Sequence, residues 1–160
     1  MTHIRNYRRD DALELEHCIV ELQSYESEIE PNREEGHRVA AAYRRLLLAQ
    51  CRRATGKILV AEADDEVVGF VCVLARVDSK DVLEKDSQHA YITDLVVLPG
   101  HRNEGVGRAL LAAAEQYVAG QGGSVLKVDV LAANDVALDL YTSMGYVENE
   151  IRLAKRLDGA

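Results

Sequence analysis

Arg102-Asn103-Glu104-Gly105-Val106-Gly107-Arg108 stands between two strongly patterned segments, and its reading decides the fold. Before it, Tyr91 to Leu98 is a β-branched run that Pro99-Gly100 stops. After it, Val106, Ala109, Leu110, Ala113 and Tyr117 recur at helical spacing as far as Gly120. The segment is therefore a loop that leaves a strand and opens a helix. Gly105 and Gly107 bare the backbone, the first helical amides have no partner inside the helix, and the positive end of its dipole lies there. Such a loop is a cradle for an anion such as a diphosphate. Arg102 and Arg108 add local charge, either as phosphate contacts or as solvated surface. Two common phosphate motifs fail: a dinucleotide fingerprint needs Gly or Ala where Leu110 stands, and a P-loop needs Gly-Lys-Ser/Thr.

Outward from this loop the chain alternates strands and helices. Ile4 to Tyr7 reads as a short opening strand, and Asp10-Asp11 cap a helix in which Leu13, His17, Val20 and Ser24 follow helical spacing, widened by Leu15, Ile19 and Leu22. Pro31 and Gly36 interrupt it before a second helix marked by Val39, Tyr43, Leu46 and Leu47, ending near Gly56. Lys57 to Ala63 and Glu66 to Val77 form a hairpin turned at Asp64-Asp65, and residues 78–88 are polar and irregular. Beyond Gly120, a strand is expected at Ser124 to Leu131 and a short helix from the Asn134 cap to Ser143. One or two closing strands are expected at Tyr146 to Leu157. The order βααβββαβαβ, with or without a last β, predicts an α/β fold, mixed in the α+β sense. Its central sheet is mostly antiparallel and is flanked by about four helices. Residues 1–160 read as one domain.

The chain has 160 residues, 48% hydrophobic and 29% charged, and a formal net charge of −8, so nonspecific attraction to nucleic acid or to an anionic membrane is disfavoured. The start lacks the apolar core of a signal peptide and no run is long enough to span a bilayer, so the expectation is a cytoplasmic protein. Cys18, Cys51 and Cys72 are far apart in sequence, without Cys-x-x-Cys or a nearby His pair, and read as buried free thiols rather than a disulfide framework or a metal site.

The loop resembles the Arg/Gln-x-x-Gly-x-Gly/Ala segment of the GCN5-related N-acetyltransferase (GNAT) family, matched by Arg102, Gly105 and Gly107. Asp94-Leu95-Val96-Val97 before it, and Asn134 to Tyr141 with Gly145-Tyr146 after it, resemble the family's other blocks in order and spacing. The resemblance covers roughly residues 57–147. It implies a GNAT-like acyl-CoA N-acyltransferase fold and a direct, metal-free transfer of acetyl from acetyl-CoA to a primary amine. The pyrophosphate would lie on Asn103, Glu104, Gly105, Val106, Gly107 and Arg108, beside Arg102. The pantetheine arm would follow the backbone of Leu95, Val96 and Val97, freed from the ladder by a bulge. Asn134 and Tyr141, seven positions apart on one helical face, sit about 10 Å apart along the axis. By themselves they read as a cap and a core aromatic. The resemblance implies that Asn134 bonds the cofactor arm and that Tyr141 protonates the departing thiolate.

Transfer also requires a base, since only a neutral amine has the lone pair to attack. Simple alternation puts Ile92, Asp94 and Val96 on one face of their strand, so Asp94 interrupts an apolar face and desolvation would raise its pKa. Asp94 is the leading base, or else a structural carboxylate; Asp129 is the second candidate. Glu26 and Glu28, within an acidic run that also holds Glu21, Glu30, Glu34 and Glu35, are candidates for attracting a cationic acceptor, or else a solvated surface. A small-molecule amine is the preferred acceptor, and a homodimer is compatible with the sequence. The alternatives are a protein N-terminal or lysine acetyltransferase, a noncatalytic acetyl-CoA-binding module, or an interaction domain without a ligand.

Overall fold

The computed structural model describes residues 1–85 and 87–157; Asp86, in the irregular stretch 78–88, and the last three residues of the expected 1–160 domain lie outside the described residues. Five strands, β1 (His3–Asn6), β2 (Gly56–Ala63), β3 (Glu66–Asp78), β4 (Gln88–Val97) and β5 (Leu126–Val128), form one sheet in chain order. All neighbours are antiparallel except β4 and β5, which are parallel. Helices α1 (Ala12–Ile29), α2 (Gly36–Arg53), α3 (Val106–Gly120) and α4 (Asp135–Ser143) complete the mixed α/β architecture. The β2–β3 hairpin turns at Asp64 and Asp65, both at positive φ, as a tight two-residue turn matching strand twist requires.

Alternation along β2 and β3 sorts the core into two layers. Ile58, Val60, Phe70, Cys72 and Leu74 face α1 and α2, whereas Leu59, Ala61, Val71 and Val73 face α3. Phe70, Leu47 and Leu110 are fully buried and each contributes roughly 2–3 kcal/mol by leaving water. At the sheet's first edge, the Arg5 guanidinium binds Asp11 at 2.8 Å and also Glu62, tying β1 and β2 to the start of α1. Asp11 further accepts from the Arg8 amide at 2.6 Å.

Several sequence expectations are corrected. The buried stripe of α1 is Leu15, Cys18 and Ile19, while Leu13 is 79% exposed. A helix with apolar residues at 13, 15, 19, 20 and 22 has two plausible stripes, and packing against β3 selects one. The strand expected at Ser124 to Leu131 shrinks to Leu126–Val128, because its ladder with β4 ends at the Ile92–Val128 pair. Tyr146 to Leu157 forms no strand: among the described residues it has no regular structure, and Val147, Ile151, Leu153 and Leu157 are all more than three-quarters exposed. A period-two pattern supplies a face, but a strand also needs a ladder partner.

Candidate active site

The site is built where β4 parts from its neighbours. Cys72 pairs with Asp94 and Val73 with Ile92, so Thr93 is an extra residue and β4 carries a bulge there. The bulge corrects the simple alternation: Ile92 joins the α3 layer, while Asp94 and Val96 turn toward α1 and α2. It lies before Leu95, Val96 and Val97, which stay in register with β3. On the other side β5 accompanies β4 only as far as Ile92, so beside Thr93 to Val97 the two strands share no ladder, a cleft in the pairing of the sheet.

At the far end of β4 the loop has the geometry of an anion cradle. Asn103 (φ 63°) and Gly105 (φ 82°) are both left-handed, and Gly105 precedes the first turn of α3 with open space where a Cβ would stand. The first amide bonded within the helix is Ala109, which donates to the Gly105 carbonyl at 3.0 Å, leaving those of Val106, Gly107 and Arg108 directed out of the helix end. A Cβ on Gly107 would meet Leu140 at 3.3 Å and Val97 at 3.8 Å, so that glycine also lets α4 approach β4. Arg102 donates to the Val97 carbonyl at 3.0 Å and stacks over the Tyr25 ring at 5.5 Å. The Arg108 side chain is turned away onto α4, at 2.7 Å from Ser143 Oγ and 3.1 Å from Met144 Sδ. These glycines, amides and the adjoining cleft fit a nucleotide diphosphate with an extended arm.

Asp94 is 9% exposed, and burial pushes its carboxyl up to about 6 against the hydroxyls of Thr93 and Tyr43, which favour the ionised form. Tyr43, from α2, donates to it at 3.0 Å, and burial followed by the Asp94 charge raises the phenol. Tyr141 is buried in the α3 layer, edge-on to Tyr146 at 5.3 Å. Its phenol is raised chiefly by burial and next by the charge of Asp94.

Asn134 caps α4 through its Oδ1, which accepts from the Ala137 amide at 3.1 Å and from the Tyr25 hydroxyl at 3.3 Å. Glu26 is half-buried, paired with Arg33 at 3.1 Å, and its charge contributes to the raised Asp94; Glu28 is exposed. Asp129 is exposed just past β5 and accepts from the Tyr91 hydroxyl at 2.9 Å. Sequence reading missed Tyr43 and Tyr25 as site residues. Tyr43 carried only the signature of a core helix position, and nothing in the local pattern points either ring at Asp94 or Asn134. Among the described residues no group of three or more His, Cys, Asp or Glu side chains could hold a metal ion, and no helix is long and apolar enough to cross a membrane.

With this geometry in place, comparison with known proteins fixes the class. Residues 19–146 match the acetyltransferase (GNAT) family, and the chain belongs to it. YhfO of Bacillus subtilis, an uncharacterized N-acetyltransferase, is 32% identical over 104 residues, 64% of this chain and 66% of that one. Streptothricin acetyltransferase of Streptomyces lavendulae is 31% identical over 84 residues, 52% of this chain and 40% of that one. The chain thus aligns with between two-fifths and two-thirds of the length of these relatives. Among solved structures, AAC(6')-Iy in complex with the bisubstrate analogue CoA-S-monomethyl-acetylneamine superposes with a TM-score of 0.71 at 19% identity, covering 98% of this chain and 97% of that one, a likeness of fold.

Proposed function

We propose that this chain, acting as one cytoplasmic domain, transfers the acetyl group of acetyl-CoA directly to a primary amine of a small cationic molecule. The observation that carries this reading is the placement of a buried carboxylate, Asp94, where β4 leaves β5, with the α3 amides at the end of the same strand. Bound there, acetyl-CoA supplies an acyl group activated as a thioester. The amides of Asn103 to Arg108 hold the pyrophosphate, and the Leu95 to Val97 edge with Asn134 orients the arm. Asp94 takes the proton from the acceptor ammonium; its raised affinity for protons suits a base working near neutrality. Glu26 adds negative charge on the acceptor side. The Tyr141 hydroxyl returns a proton to the leaving sulfur.

A small acceptor is supported by two names among the similar proteins, a streptothricin acetyltransferase and AAC(6')-Iy in complex with a CoA-S-monomethyl-acetylneamine bisubstrate analogue. The test is a thiol-release screen of polyamines, amino sugars, amino acids and lysine peptides with acetyl-CoA. Release stimulated by a small amine supports the proposal. No stimulated release, together with no rise in melting temperature on adding acetyl-CoA, refutes it.

A further inference from the structure

Cys51 and Cys72 lie 21 positions apart, yet their sulfurs approach to 3.7 Å. The approach is imposed by close packing at the end of α2. A Cβ on Gly56 would stand only 2.7 Å from Cys51 Cα and 3.0 Å from its Sγ, so the bare glycine lets the helix settle against β2 and β3. Cys51 is half-buried and Cys72 is buried. We propose that Cys51 and Cys72 are a modification site, a dithiol that low-molecular-weight disulfides convert reversibly into an intramolecular disulfide joining α2 to β3.

The Cys51 thiol is lowered, first by the hydrogen bond with Cys72 and then by the neighbouring Arg52 charge against the cost of burial, which favours it as the attacking thiolate. It attacks one sulfur of the oxidant RSSR and expels RS⁻, leaving Cys51 in a mixed disulfide. The Cys72 thiol, raised by its hydrogen bond with Cys51 and by burial, passes its proton to the departed RS⁻ as its sulfur attacks Cys51 Sγ and expels the second RS⁻. The net change converts two protein thiols and RSSR into one protein disulfide and two RSH, with two electrons passing from protein to reagent. Cys18, buried elsewhere in the α1 layer with its thiol pushed up to about 12 by burial, stays reduced.

The bond would reach the site. An S–S length of about 2.05 Å draws the two sulfurs together by about 1.7 Å. Tyr43, Leu47 and Cys51 lie at successive four-residue steps of α2, on one face. Cys72 is the β3 residue paired with Asp94. The disulfide therefore ties α2, which carries Tyr43, to β3, the strand paired with Asp94 of β4. This last consequence rests on the acetyl-transfer reading, whereas formation of the bond does not.

The experiment exposes the folded protein to oxidised glutathione, alkylates under denaturing conditions, and reads intact mass and peptides. The expected result is loss of two hydrogens, a peptide pair linked through Cys51 and Cys72, one alkylated thiol at Cys18, and full reversal by dithiothreitol. Cys51→Ala should give no internal disulfide. Three alkylated thiols after exposure, a persistent glutathione adduct on Cys51, or a disulfide between two chains would each overturn the site. Transfer rates of reduced and oxidised protein test the coupling: a changed rate absent in Cys51→Ala supports it, and an unchanged rate with the disulfide proven by mass overturns it.

Discussion

The Tyr43 hydroxyl lies 3.0 Å from both oxygens of the Asp94 carboxylate, so one O–H bridges the two acceptors. A carboxylate offers about four lone-pair sites, and the Tyr43 phenol with the Thr93 hydroxyl does not use them all. Asp94 is thus held in place by a neutral donor that does not discharge it, the condition under which a buried carboxylate can still collect a proton from an ammonium.

Replacing Asp94 by Asn should lower transfer at pH 7 by about a hundredfold or more, and remove an acid limb centred near pH 6. Alkaline pH should recover part of the rate, because the acceptor then deprotonates in bulk water. The same variant has a stability signature. A carboxyl raised from 3.8 to about 6 contributes stability that is complete below its unfolded pKa and lost as pH rises through 6. Asp94→Asn should therefore gain up to about 3 kcal/mol over the wild type at pH 8 and almost nothing at about pH 3. A wild-type rate profile in a folded variant would return Asp94 to a structural role.

Tyr43→Phe removes a hydrogen bond that favours the ionised carboxylate, so the acid limb should move to higher pH while the plateau rate is kept. Steady-state rates from pH 5 to 9 decide this. A uniform loss at every pH would mean that the ring supports packing and does not tune Asp94.

Tyr141→Phe deletes only a proton donor. Turnover should drop by about a hundredfold, less where water enters, with coenzyme affinity retained, as befits an interaction made in the transition state. Calorimetric titration alongside kinetics checks the pair of expectations; equal turnover in the two proteins sinks the role.

Gly107→Val adds branches where even a Cβ meets Leu140 at 3.3 Å, and should weaken acetyl-CoA binding tenfold or more by disturbing the cradle and α4 together. Gly105→Ala meets no neighbour but inherits a φ of 82°, so its expected cost is about 1 kcal/mol of stability. Denaturant unfolding and calorimetry on both separate conformation from contact. Unchanged coenzyme affinity in folded Gly107→Val contradicts the assignment of the loop.

Asp11→Asn leaves Arg5 with one carboxylate fewer at a place where the two side chains are only 7% and 11% exposed. A loss of about 3 kcal/mol is expected near neutrality. Asp11 is held below its ordinary pKa chiefly by Arg5, so this stabilisation exists above about pH 4 and fades as pH falls through the lower folded value. Equal melting temperatures at pH 7 would refute it.

Much of the fold was legible because the signals are local. The β-branched, apolar runs of β2 and β3, the breaks at Pro31 and Gly36, and the strand-loop-helix around Gly105 need no knowledge of distant residues. What escaped depends on partners. The bulge at Thr93 belongs to the register between β3 and β4, and no pattern within β4 reveals it. Tyr43 reaches Asp94, and Cys51 reaches Cys72, only through the way α2 lies across the sheet. The stretch Tyr146 to Leu157 shows the opposite error, an alternating pattern that finds no ladder. In the site, the cradle was readable from its glycines and Asp94 from its apolar flanks, whereas Tyr25, which links Asn134 to Arg102, carried no sequence signal.

The shortness of β5 has a dynamic consequence. β3 lies between two long ladders, whereas β5 holds three paired residues on β4. Within the sheet, amide protons should therefore exchange with solvent slowest along Phe70 to Val73 and much faster at Leu126 to Val128, since opening free energies follow local pairing and burial. The cleft is thus framed on one side by β4, which is paired with that persistent strand, and on the other by the briefly paired β5. Occupancy of the cleft would then register chiefly as slowed exchange along β5 and the start of α4, with the interior strands scarcely altered.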